Sequence, residues 1–326
     1  MRSIKLPSWS EKLLGLDPRA VPPHVFGIDA GKLCYGLFPR NGGVQFGEYH
    51  SVEVPPDSFS DGPLGGTIRE PAVFRQLLDS LMAKISMPVT EGSLVLPDDW
   101  LRLSFSEAEA LPRAPAEREE VLRWKLKRQV PFRVEDLRLM AVEVPPLEQQ
   151  EEPNRLLMEF GSEQLLEQLE DVFDRAGVHI GHVTNRSLSL LTALRSALEG
   201  FGAAAVALVA QDAYSLLIVS RGEPVVHRFK SYHTDLPIEA MRRFVLRDLR
   251  LTRTFLNEKM GEVEVQRAVL ISPADSEEIW GAWLEEVFEA PVQRLRQEWP
   301  FLRDAVPGVA AYEMAPLFGA ACREVA

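Results

Sequence analysis

The sequence predicts an α/β protein of two related lobes with an α+β unit inserted into the first. Three observations predict it. A strand–turn–strand run occurs twice, at Val25–Phe38 and again at Val206–Phe229. Residues 100–183 lie between these runs and carry a strand and helix pattern of their own. The chain of 326 residues also exceeds what one hydrophobic core usually organises.

The elements follow in order. Val25–Asp29 reads as a strand, Ala30 and Gly31 as a tight turn, and Leu33–Phe38 and Val44–Val54 as two further strands. Pro55–Gly66 is rich in turn residues and reads as a loop, and Val73, Leu77, Leu78 and Leu81 repeat at helical spacing across Pro71–Met82. Ser93–Leu96 returns as a strand and ends the first block.

The inserted stretch reads as strand, helix, two strands, helix, strand. Its first strand is Leu101–Phe105, and its first helix runs over Glu117–Val130, with Leu122, Leu126 and Val130 on one stripe and Pro131 stopping it. Leu137–Val144 and Arg155–Phe160 read as a strand pair joined by the acidic, proline-rich loop Pro145–Pro153. A second helix carries Leu165, Leu169 and Val172 and ends at Gly177, where a left-handed cap needs no side chain; Val178–Val183 is the next strand.

A helix over Arg186–Leu198 leads to the second meander, Val206–Ala210, Ser215–Ser220 and Pro224–Phe229, with a turn at Gly222. A long helix Ile238–Met260, a strand Val269–Ser272, and helices at Ile279–Phe288 and Val309–Arg323 complete the chain. The expected division is an N-terminal arm at 1–23, a first lobe at 24–99 and 184–199, the inserted unit at 100–183 and a second lobe at 200–326. The arm alternates Ile4, Leu6, Trp9, Leu13 and Leu16 with Arg2, Lys5, Lys12 and Arg19, a pattern that suits packing on its own domain or docking on a membrane surface.

Composition narrows the function. A formal charge of −12 argues against nucleic acid as the main partner. Two cysteines, Cys34 and Cys322, imply neither a disulfide framework nor a thiolate metal site. Apolar runs such as Ala203–Ala210 fall well short of the ~20 residues that span a bilayer, and the N-terminus lacks the continuous apolar core of a secretory signal, so a cytoplasmic protein is expected. His179 and His182 fall at odd spacing on a strand and point to opposite faces, which argues against shared metal binding. No nucleophile elbow or His-Glu-x-x-His run occurs. Arg243, Arg247 and Arg250 share one face of the long helix, opposite Met241, Val245 and Leu249; such a face is ordinarily solvated, with contact to a partner or anionic lipid as the alternative.

The run Phe26-Gly-Ile-Asp-Ala-Gly-Lys32 resembles the first phosphate loop of the actin-like ATPases, whose ribonuclease H-like fold also has two duplicated lobes. Val95-Leu-Pro-Asp-Asp99 before a strand, followed by Leu122-Arg-Trp-Lys-Leu-Lys-Arg-Gln-Val-Pro-Phe132, resembles the type IV pilus assembly protein PilM family within that superfamily. The resemblance runs from about Val25 to Cys322. It implies a scaffold at the cytoplasmic face of the inner membrane that binds the N-terminal tail of a PilN-like membrane protein and connects to pilus platform and motor components. The tail would lie in a groove between the first lobe and the inserted unit, around Trp124, Arg128, Phe132 and Leu137.

The same resemblance implies ATP with magnesium at the cleft, through Asp29, Gly31, Lys32 and Asp212. Glycine lets backbone N–H groups approach an anion, and an aspartate orients magnesium through water. The loops depart from that pattern. Lys32 stands where a small hydroxyl residue is usual, although its ammonium could still meet a phosphate. Ala210 stands where the second lobe should place an aspartate, with Asp212 at the glycine position; a slipped register would make Asp212 the magnesium-side acid, with Tyr214 crowding the turn. Ile271-Ser-Pro-Ala-Asp275 replaces the consecutive glycines of the adenosine loop. Each lost charged hydrogen bond would weaken phosphate binding by about 1.5–3 kcal/mol. A pseudo-ATPase scaffold is therefore expected, with a working ATPase or phosphotransferase, or the cytoplasmic part of a type II secretion platform protein, as alternatives.

Overall fold

The computed structural model describes residues 22–29, 31–39, 45–60, 63–107, 111–112, 114–130, 133–144, 155–210, 212–232, 236–260, 263–295 and 311–322. The expected N-terminal arm up to residue 21, the turn residue Ala30, Pro131, Phe132 and the loop at 145–153 lie outside them.

The first lobe holds β1 (His24–Asp29), β2 (Lys32–Leu37), β3 (Glu48–Glu53), α1 (Pro71–Met82) and β4 (Glu91–Leu96). The inserted segment follows as β5 (Leu101–Glu107), α2 (Pro115–Leu126), β6 (Leu137–Val144) and β7 (Arg155–Ser162). Then come α3 (Glu163–Arg175), β8 (His179–Asn185) and α4 (Arg186–Leu198). The second lobe holds β9 (Ala203–Val209), β10 (Ala213–Ser220), β11 (Glu223–Ser231), α5 (Ile238–Met260), β12 (Arg267–Ile271), α6 (Glu277–Phe288), β13 (Val292–Arg294) and α7 (Ala311–Ala321).

The two large sheets repeat one plan. The first has order β3-β2-β1-β4-β8 and the second β11-β10-β9-β12-β13. In each, the first three strands form an antiparallel meander and the last two join in parallel. Each copy places a helix between its third and fourth strands, another before its fifth and another after it. The duplication shows where α3 and β8 belong. Read from sequence as the end of the inserted unit, they instead complete the first sheet: β8 pairs with β4, and Leu165, Leu169, Val172 and Phe173 of α3 join the core beneath that sheet. Among the described residues, α2 and the antiparallel sheet β5-β7-β6 form the small unit, around Leu122, Leu126, Leu137, Met158 and Phe160.

Local chemistry explains the helices. In α1, Pro71 occupies the first turn, where its missing N–H costs nothing, and Phe74, Leu78 and Leu81 are buried on one face. Ser162 caps α3 by accepting from Leu165 N, and Gly177 ends it at φ +79°. The helix expected to reach Val130 stops at Leu126, because Lys127 and Gln129 donate three residues back, to Trp124 O and Leu126 O, tightening the chain out of the α geometry.

Helices α4 and α7 lie between the two sheets, and side chains from both sheets meet theirs in one core that includes Val25, Val95, Leu190, Leu194, Val206, Val269 and Leu317. The helices cross at Gly319, where an added Cβ would lie 1.7 Å from Ser189 O. On the outer faces, α1 and α3 cover the first sheet and α5 and α6 the second.

Candidate functional site

The N-termini of α4 and α7 meet the β1–β2 and β9–β10 turns around a cleft of about 540 Å³ between the lobes. Asp29 ends β1 at the cleft wall, and Gly31 turns the chain at φ +76°, a conformation that favours glycine. Arg186, the first residue of α4, reaches Asp29 Oδ1 with Nη1 at 2.6 Å. Its Nη2 donates to Tyr312 O at 3.2 Å. That carbonyl is free because residue 316, four positions on in α7, is a proline and has no N–H to offer it. A proline in a helix thus creates the acceptor that locks a guanidinium over an aspartate. Burial raises the Asp29 carboxyl above its ordinary range; Arg186 opposes the rise, and Glu313, Asp98 and Asp212 add to it.

Lys32 is committed as well. Its ammonium lies 2.8 Å from Glu313 Oε1, and that hydrogen bond raises its pKa. Burial alone would raise the Glu313 carboxyl, but hydrogen bonds from Lys32 and Tyr49 hold it below the usual range. Tyr49 donates to Glu313 Oε2 at 2.9 Å. Cys34 lines the same wall, and burial pushes its thiol up to about 12, far from thiolate reactivity.

Opposite, the β9–β10 turn offers little to an anion. The Ala210 N–H already donates to Ala213 O, and Tyr232 Oη donates to Ala210 O at 2.9 Å. Asp212 is exposed and is not part of the cleft lining. Farther along, Pro273 lines the cleft with no N–H to present. The residues present do not fit a magnesium triphosphate. The acid that would orient the metal holds an arginine, the cation that would meet a phosphate holds a glutamate, the Ala210 N–H is already bonded, and Pro273 has no N–H.

A second polar cluster lies beside the cleft, at the start of α4. Asp98 accepts from Ser187 N at 3.0 Å, Ser187 Oγ at 2.8 Å and Ser215 Oγ at 2.5 Å, and His227 Nε2 lies 3.2 Å from Ser187 Oγ. These are the residue types of a hydrolytic triad in the wrong order: the serine proton goes to the aspartate, and burial lowers the histidine. The cluster is structural. Glu159 of β7 accepts from Asn185 N at 3.1 Å, and Asn185 Nδ2 donates to Leu101 O. Residues 185–187 thereby tie together the first lobe, the second lobe and the inserted sheet. Burial pushes Glu159 up to about 7 and Asp99 up to about 6.

The inserted sheet presents the other surface of interest. Strand β6 is one of its two edges, and among the described residues its outer side is unpaired. Leu137, Leu139 and Ala141 turn toward the small core, while Met140 and Val142 on the opposite face are 58% and 50% exposed. Met140 is registered with Glu159, whose side chain reaches Asn185, so this exposed face looks toward the first lobe. Arg138, on the same face, pairs with Glu163 and Glu170 of α3. Of the residues expected at a partner surface, Trp124 is 69% exposed and Arg128 is exposed, while Phe132 lies outside the described residues. Leu137 is fully buried in the sheet's own core and offers no side chain to a partner. Met140 and Val142 went unnoticed in the sequence because the run Leu139–Val142 is apolar at every position, so no alternation marks the outward face.

The duplicated sheets, the paired helices between them and the cleft above define the class: the chain has the actin-like ATPase fold. No family model and no curated protein matches the sequence. Among solved structures, one from a PilM-PilN type IV pilus biogenesis complex matches with a TM-score of 0.71 at 16% identity, covering 93% of this chain and 97% of that one. A protein of unknown function with an actin-like ATPase fold from Bacteroides thetaiotaomicron matches with a TM-score of 0.51 at 10% identity, covering 85% and 93%. The cytoplasmic domain of EpsL, an inner-membrane component of the Vibrio cholerae type II secretion system, matches with a TM-score of 0.49 at 12% identity, covering 91% and 93%.

Proposed function

We propose that the chain is a non-catalytic adaptor of a type IV pilus assembly platform, acting at the cytoplasmic face of the inner membrane and holding the cytoplasmic tail of a PilN-like membrane protein. One observation carries the non-catalytic reading: Arg186 supplies to Asp29 the positive charge that a metal ion would otherwise bring. Support for the partner comes from the likeness to a structure of a PilM-PilN complex and from the exposed face of β6. An extended tail laid against Met140 and Val142 would pair its backbone with the free edge of β6 and cover apolar surface at the junction with the first lobe. Trp124 and Arg128, on the far side of the small unit, would then serve a different contact.

A fluorescent peptide copying the N-terminal tail of the PilN-like protein from the same genome tests this. Binding is expected to fall at least about tenfold in Met140→Asp/Val142→Asp, which places two charges where apolar contact is needed. Unchanged binding in that variant, or no binding to the wild type, would refute the assignment.

A further inference from the structure

Helix α5 is the basic element of an acidic protein. It carries five arginines, at 242, 243, 247, 250 and 253, and Lys259, against three acids, Glu239, Asp248 and Glu258, in a chain whose net charge is −12. Three of the arginines are committed to neighbours: Arg242 and Arg250 pair with Glu286 of α6, and Arg253 pairs with Glu289. Arg243 and Arg247 are exposed, and neither bonds to another described residue.

The outward face is not uniformly polar. Phe244 is 40% exposed and Leu251 51% exposed, while Val245, Leu249 and Leu256 on the opposite face are buried against the second sheet. At 100° per residue, Arg243, Arg247, Phe244 and Leu251 fall within one outward band about 12 Å long, flanked at its two ends by Glu239 and Glu258. Water alone gives no reason to expose a phenyl ring and a leucine beside two unpaired guanidinium groups.

We propose that this stripe rests on an anionic bilayer surface. The shape favours a membrane over a peptide, because α5 packs its inner face on the second sheet and turns a convex helical surface outward. Charge favours it over a contact spread across the whole molecule. A protein of net charge −12 is repelled by acidic lipid in most orientations, and among the described residues α5 turns unpaired basic charge outward at Arg243 and Arg247. The arginines would meet lipid phosphates while their methylene stems, Phe244 and Leu251 enter the acyl boundary. The docking depends on neither the cleft nor the edge of β6, so it stands or falls apart from the adaptor reading.

The full chain is sedimented at low salt with vesicles of phosphatidylcholine, alone or containing roughly 30 mole % phosphatidylglycerol. The wild type is expected to bind only the anionic vesicles. Arg243→Glu/Arg247→Glu and Phe244→Ser/Leu251→Ser, all at exposed positions that leave the fold intact, should each weaken binding at least about tenfold, whereas Arg195→Glu on exposed α4 surface should change it less than about twofold. Failure to bind, equal binding to neutral vesicles, retention in either double variant, or an equal loss in Arg195→Glu would overturn the proposal. A wild-type dimer abolished by the same double variants would assign the stripe to a second copy instead, and would overturn it too.

Discussion

Arg186 opens α4 at the end of a helix where a cation is least favoured, and it stays because Asp29 and the carbonyl freed by Pro316 both receive it. Beside it, Glu159 shows a different residue-scale effect: a carboxyl kept from water whose proton is retained by the native state. Below 4.5 both folded and unfolded chains hold that proton, and the burial carries no ionisation cost. Between 4.5 and about 7 the unfolded chain ionises first, so native stability falls as pH rises, and it levels off above that range. Glu159→Gln keeps an acceptor for Asn185 N and cannot ionise. Urea unfolding should therefore show it gaining up to about 3 kcal/mol on the wild type between about pH 4 and pH 8, and a difference that stays flat would deny the shift. The turn from Asp29 to Lys32 was legible in the sequence because glycine and aspartate mark it within a few residues. Arg186 and Glu313 were not, since their partners lie 157 and 281 residues away, although an arginine directly after an asparagine N-cap signals that an acid must be near.

Three helices were found where the sequence placed them. Helices α1, α4 and α5 begin and end at the residues expected, because their apolar stripes and flanking proline, asparagine or glycine act locally. Strand β13 was missed: three residues are too few to show a period, and its pairing with β12 is parallel and non-local. The place of β8 in the first sheet, with α3 beneath it, was missed although the repeated meander was legible, because the parallel pairing of β8 with β4 is non-local and leaves no mark in the local pattern. Among the element contacts, the crossing of α4 and α7 has the least tolerance. Gly319→Ala would drive a methyl into Ser189 O, and the helices cannot part without lifting both sheets from the shared core. Chemical denaturation should show a loss of at least about 2 kcal/mol; a change under half of that would mean the helices are less tightly constrained than their geometry implies.

At the scale of the molecule, two copies of one sheet plan close on a pair of helices, and the chemistry-bearing ends of those helices point into the cleft. That arrangement places Arg186 and Glu313 directly against Asp29 and Lys32, so the lobes are held by side chains at the point where an actin-like fold would be expected to seat a metal-bound nucleotide. Across the cleft, the Ala210 N–H is spent on Ala213 O and Pro273 has no N–H to offer. Calorimetric titration of the purified chain with ATP and magnesium tests this most directly. The wild type should give no binding heat up to millimolar nucleotide; micromolar binding that disappears in Asp29→Ala would show that Arg186 yields its place to a metal and would contradict the adaptor account.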